Sequence, residues 1–151
     1  MRRVVSVALL LAFLGTILLP DVLRAQGREK YSLAVLNLTS DSATISRSDA
    51  RVITGRFTDE IARAGIFFTM SQTNMERGLF TKNIDPSRCS SLECGLRAGH
   101  ALGVQLVVVG TIEQNGSVYT LDVKMVHVAS GTIVKSYRDE ITGTLADLYG
   151  G

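Results

Sequence analysis

Gln105-Leu-Val-Val-Val-Gly-Thr-Ile112 leads through Asn115-Gly116 into Val118-Tyr-Thr-Leu-Asp-Val-Lys-Met125. Ser130-Gly131 then turns the chain into Thr132-Ile-Val-Lys-Ser-Tyr137. The first segment is rich in β-branched residues and mostly apolar, the pattern of a strand covered on both faces. Asn-Gly between two such runs is the strongest short-range signal of a hairpin. In the second segment apolar residues 119, 121, 123 and 125 alternate with polar 120, 122 and 124. A period of two predicts one face on a core and the other toward water. The region 105–137 is therefore expected to be a three-stranded meander, and the remaining elements are expected to cover it.

Working outward toward the N-terminus, Ser90-Ser-Leu-Glu93 reads as a capping box, in which a hydroxyl and a carboxylate each satisfy a backbone amide at a helix start. It predicts a helix from about Ser91 to Leu102, with Leu92, Ala98, Ala101 and Leu102 apolar and Gly103 as its stop. Gly95, Gly99 and Gly103 recur every four residues, which reads as a helix pressed closely on a sheet. Thr73-Asn-Met-Glu76 is expected to be another capping box, opening a short helix with Met75, Leu79 and Phe80 inward. Ile66-Phe-Phe-Thr-Met70 reads as a short strand. Before it, a helix is expected to start at Ser46 or Ser48 and stop at Gly65. Its inward stripe is read as Val52, Ile53, Phe57 and Ile61, with Arg51 directed away. Tyr31-Ser-Leu-Ala-Val-Leu-Asn-Leu38 is the first strand, apolar on both faces at its middle.

The order strand, helix, strand, two short helices and three strands limits the topology. Right-handed crossovers that leave the first strand in opposite directions place their helices on opposite faces. The predicted fold is α/β, with three layers and a mixed five-stranded sheet in the order 2-1-3-4-5, strand 4 antiparallel.

The first residues read as an export signal. Arg2-Arg3 precedes an apolar run from Val4 to Leu19, Pro20 breaks it, and Val22-Leu-Arg-Ala25 offers a cleavage point after Ala25. The run falls short of the roughly 20 residues that span a bilayer, so no stable membrane span is expected after cleavage. No cysteine follows it for lipid attachment. Removal of residues 1–25 takes away Arg2, Arg3, Arg24 and Asp21 and leaves 13 basic and 13 acidic residues. The basic balance belongs to the signal, and nucleic-acid binding is not expected. The remaining 126 residues suit a single domain, 26–151, with a short loose tail after Gly143. Its expected location is periplasmic or secreted.

Candidate chemistry is sparse. Cys89 and Cys94 would meet an oxidising compartment. Their spacing is compatible with a disulfide pinning the loop to the helix start, with a redox thiol, or with unpaired cysteines; it is not the two-residue spacing of thioredoxin-like sites. His100 and His127 fit no compact metal motif with them. Asp59-Glu60 and Asp139-Glu140 read as solvated carboxylates, and no GxSxG, HExxH or P-loop motif occurs. No catalytic, cofactor-binding or metal-binding residue is therefore expected. Tyr119 reads as core and Tyr137 as core or binding face. An exposed fifth strand could accept a partner by edge pairing, or Lys135, Arg138 and Asp139 could guard it against aggregation.

Four passages carry a family resemblance. They are Leu33-Ala-Val-Leu-Asn-Leu38 with Phe57-Thr-Asp-Glu-Ile-Ala-Arg-Ala-Gly65; Met70-Ser-Gln-Thr-Asn-Met-Glu76; Cys89 and Cys94 leading into Ala101-Leu-Gly-Val-Gln-Leu-Val-Val-Val-Gly-Thr111; and Tyr119-Thr-Leu-Asp-Val-Lys-Met-Val-His-Val-Ala-Ser-Gly131. Over about residues 31–142 the chain resembles the small exported α/β domain of bacterial envelope proteins related to the curli-secretion lipoprotein and to the amino-terminal domain of the Tol-system β-propeller protein. That resemblance implies a non-enzymatic component that binds another envelope protein, and a Cys89–Cys94 disulfide. The chain departs from the channel-forming members in lacking the lipid-attachment cysteine and long insertions, and from the Tol protein in lacking a propeller. Neither pore formation nor a Tol-like role is expected. The alternative expectation is a small-ligand or nucleotide site at the carboxyl ends of the central strands, near Asn37-Leu-Thr39 and Met70-Ser-Gln72.

Overall fold

The computed structural model describes residues 29–41 and 43–150, leaving aside the side chains of 148–150. The expected signal segment lies outside the described residues. The elements are β1 (Ser32–Val35), α1 (Arg47–Ala64), β2 (Phe68–Thr69), α2 (Gln72–Phe80), a 3-10 turn (Pro86–Arg88), α3 (Leu92–Leu102), β3 (Leu106–Asn115), β4 (Val118–His127), β5 (Thr132–Thr142) and α4 (Leu145–Gly150). The sheet runs β2-β1-β3-β4-β5. β1 is parallel to β2 and to β3, while β4 is antiparallel to both of its neighbours.

The sheet separates two cores. Leu33, Val35, Leu106, Val108, Ile112, Tyr119 and Val123 face α1, whose Ala50, Ile53, Phe57 and Ile61 close that side. Ala34, Leu36, Val107, Val109, Val126 and Val128 face the other way, onto Met75 and Leu79 of α2 and Ala98 of α3. Consecutive residues of β1 and β3 thus enter different cores, which is why both segments read as unbroken apolar runs. Leu33 to Leu36 are at most 1% exposed; burial of each larger side chain contributes about 1.5–3 kcal/mol. The expected three-layer α/β/α fold with strand order 2-1-3-4-5 is the fold observed.

Local capping explains the helix limits and corrects several details. Ser46 caps α1: its hydroxyl accepts from the Asp49 amide, and the Asp49 carboxylate accepts from the Ser46 amide. The inward stripe of α1 includes Thr54 and Thr58, both buried, whereas Val52 is half exposed. Each threonine hydroxyl donates to the carbonyl four residues back, and Thr54 Oγ1 also accepts from the Leu38 amide. These bonds allow polar residues to occupy positions that an apolar count assigns elsewhere. Neither expected capping box forms. Ser71 caps α2 and Ser91 caps α3, each accepting from the amide three residues on. Glu76 is thereby released for another role, and Phe80 lies outside the core.

Gly65 and Gly103 end α1 and α3 in the left-handed conformation (φ 67° in both), which glycine adopts without steric cost. Gly95 and Gly99 bring α3 onto the sheet. A methyl group on Gly95 would lie 2.5 Å from Val109 Cγ1, and one on Gly99 would lie 2.5 Å from Val128 Cγ2. Residues after Gly143, expected as a loose tail, form α4; Asp147 Oδ2 accepts from the Thr144 amide, and Leu145 packs against the α1-side core.

Candidate functional site

Two regions have the position and composition of a site: the cleft beyond the carboxyl end of β1, and the outer edge of the sheet at β5.

The cleft encloses about 290 Å³ between residues 37–41, the start of α1 and the 87–90 loop. Ser40, Ser46, Arg47, Ser87, Arg88 and Ser90 line its mouth. Its inner wall is Asn37, only 5% exposed. Asn37 Nδ2 donates to Glu76 Oε1 (3.1 Å), and its Oδ1 accepts from Gln72 Nε2 (3.0 Å). Gln72 Nε2 also donates to the Arg51 carbonyl (3.0 Å). Glu76 receives two bonds from Arg51, Nε to Oε1 at 2.6 Å and Nη2 to Oε2 at 2.7 Å. The guanidinium hydrogen bonds hold the Glu76 carboxyl below its usual range; partial burial opposes them, and the Asn37 bond assists. The same partner raises Arg51.

This bidentate pair ties α1 to α2 across the end of β1. Ser71 is engaged in capping α2. Asn37, Ser71 and Gln72, all in the segments expected to meet a ligand, are therefore bound to protein partners. Asp85, two residues before Ser87 of the lining, accepts from the Ser87 hydroxyl and amide, which lowers its carboxyl; Arg88 and Arg47 add to that effect.

The remaining candidate residues do not converge. The sulfurs of Cys89 and Cys94 are bonded, with Cα atoms 5.3 Å apart, and join the loop to the first turn of α3. His100 is exposed on α3. His127 lies on the α1 side of the sheet, where Nδ1 contacts Ser130 Oγ at 3.0 Å and the ring meets Tyr31 edge-on. Among the described residues no three of His, Cys, Asp and Glu are grouped to hold a metal. Asp59 and Glu60 are exposed, as expected. Tyr119 is core, and Tyr137 is half exposed.

β5 differs from every other strand. It runs eleven residues, five beyond the Tyr137 expected from the sequence, and all but Ile141 are exposed. It pairs with β4 alone, so the backbone groups directed away from β4 have no partner in the sheet. Ile133, Val134 and Tyr137 are 48%, 56% and 49% exposed. The opposite edge, β2, is only two residues long; its Phe68 and the preceding Ile66 are exposed. No helix among the described residues is long and apolar enough to cross a membrane.

No family model and no curated protein matches the chain. Solved structures do. The chain is similar to LpoB of Escherichia coli, with a TM-score of 0.63 and 15% identity over 76% of this chain and 59% of that one. It is also similar to the C-terminal domain of LpoB from Salmonella enterica (TM-score 0.58, 16% identity, 74% of this chain and 82% of that one). The lipoprotein GNA1162 from Neisseria meningitidis matches at a TM-score of 0.59 with 12% identity, over 76% of this chain and 82% of that one. At these identities the likeness is one of fold. Each of these solved structures is of a bacterial protein, and what this chain shares with them is the fold.

Proposed function

We propose that this chain is an exported, single-domain envelope protein that works by binding another protein and catalyses nothing. The observation that carries the reading is β5: a long edge strand with no second strand partner among the described residues and with half-exposed apolar side chains. Such an edge binds an extended segment through main-chain hydrogen bonds, with side chains on alternate positions setting specificity. Export by a signal cleaved after Ala25 fits the Cys89–Cys94 bond, since disulfides persist in oxidising compartments. The fold shared with envelope proteins supports the same location. The small-ligand reading loses support because Asn37 and Gln72, which would have to recognise the ligand, are held by Glu76 and Arg51.

The test is crosslinking in the native envelope, with a photoreactive residue in place of Ser136 on β5 and a control in place of exposed Arg63 on α1. Protein adducts are expected from position 136 and not from position 63. The absence of any protein adduct at 136, with a metabolite co-purifying instead, would overturn the reading.

A further inference from the structure

The side chains of β5 are arranged to be complementary to themselves. From Lys135 to Thr142 the strand pairs with Met125 to Val118 of β4 without interruption; the register shifts only beyond Met125, where Val134 is the extra residue. Residues opposite one another across a ladder share a face. Lys135, Tyr137 and Asp139 therefore lie on the α1 side, opposite Met125, Val123 and Leu121. Ser136, Arg138 and Glu140 lie on the other side, opposite Lys124, Asp122 and Thr120.

A second copy can extend this sheet with its α1 side still facing the same way only if a two-fold axis stands normal to the sheet. The two β5 strands are then antiparallel, and the axis passes midway between the two copies of one residue. Centring on Arg138 places Arg138 opposite itself. Centring on Asp139 places two carboxylates together. Centring on Ser136 sets Lys135 against Tyr137 and runs past the regular segment into Val134. Centring on Tyr137 sets Lys135 opposite Asp139 twice, the two Tyr137 rings opposite each other, and Ser136 opposite Arg138, with no like charges facing. Lys135 enters no ion pair among the described residues. The Tyr137 hydroxyl donates to Asp139 Oδ2 at 2.8 Å, which holds the carboxylate in this row.

We propose that β5 pairs with β5 of a second copy about Tyr137, joining the two five-stranded sheets into one. The inference rests on the protein-binding reading and names its partner as the chain itself. The contact is one strand wide, so the dimer is a weak one that dissociates on dilution, and added salt loosens it by screening the Lys135–Asp139 pairs.

The sign of the charges provides the test. Lys135→Asp and Asp139→Lys each place like charges together at both ends of the contact, and each is expected to weaken self-association about tenfold or more. Both side chains are exposed, so circular dichroism should not change; Asp139→Lys also loses the bonds that Asp139 accepts from the Tyr137 hydroxyl and the Glu140 amide, and Lys135→Asp, which breaks no such bond, keeps the comparison free of that loss. An equimolar mixture of the two variants restores opposite charges at both positions and should dimerise. Sedimentation equilibrium of the wild-type chain, each variant and the mixture reads all four states. A wild type that stays monomeric to millimolar concentration, variants that dimerise as it does, or a mixture that stays monomeric would overturn the self-pairing. A monomeric wild type leaves the binding reading standing, because that reading falls only if position 136 captures no protein at all.

Discussion

The sequence around Glu76 resembles a helix start, yet Glu76 lies inside α2 and its carboxylate bonds Arg51, twenty-five residues away. The pair is half solvated on the arginine side (53% exposed, against 15% for Glu76), so its contribution to stability is moderate, about 1 kcal/mol. Because the Glu76 carboxyl is held below its ordinary range, that contribution is complete above the unfolded glutamate value of about 4.3 and is lost as pH falls through the lower, folded value. Glu76→Gln should therefore be less stable than the wild type by about 1 kcal/mol at neutral pH, and the gap should close in acid. Urea unfolding followed from pH 7 downward measures both; a gap that stays constant as pH falls would assign the loss to packing. This network was not legible in the sequence. Asn37, Arg51, Gln72 and Glu76 come from three separate elements, and local patterns contain no information about pairs so far apart in the chain. Local caps were partly legible: Ser46 and Gly65 bound α1 as expected. The hydroxyls of Ser71 and Ser91 displaced the two expected boxes, because a serine can cap without a carboxylate three residues on.

At the scale of elements, α3 depends on having no side chain at two positions. Gly99→Val would drive a branched side chain into Val128, and Gly95→Ala would press on Val109 in a buried strand. Overpacking of this kind costs about 1–3 kcal/mol and outweighs the ~1 kcal/mol that alanine gains over glycine in a helix. Both variants should melt below the wild type; a higher melting temperature for Gly95→Ala would show that α3 can lift from the sheet at little cost. The disulfide at the start of the same helix closes a small loop, so mild reduction should lower stability by only about 2 kcal/mol. Intact mass should rise by about two hydrogens on reduction. The every-four glycine spacing announced the close approach of α3 in advance. β5 was legible only to Tyr137, since Arg138-Asp-Glu140 breaks the apolar pattern. A strand exposed on both faces has no alternation to display, so its true length emerges only from pairing with β4.

The whole molecule follows from two strands that supply both cores. Leu33 to Leu36 and Leu106 to Val109 are apolar without a break, so β1 and β3 need a cover on both sides; the helices supply it, and the less apolar strands fall to the edges. That logic made the strand order readable from composition and connection. It also leaves β5, which pairs with β4 alone among the described residues, at the edge of the sheet. The most direct measurement is amide hydrogen exchange along β5, in dilute protein and then in the bound state, with a captured partner or at self-associating concentration. The amides between Lys135 and Asp139 that point away from β4 should exchange fast when dilute and become protected on binding, while Ser40, Ser87 and Ser90 at the cleft stay unchanged. Protection that appears at the cleft and leaves β5 as it was would contradict the account.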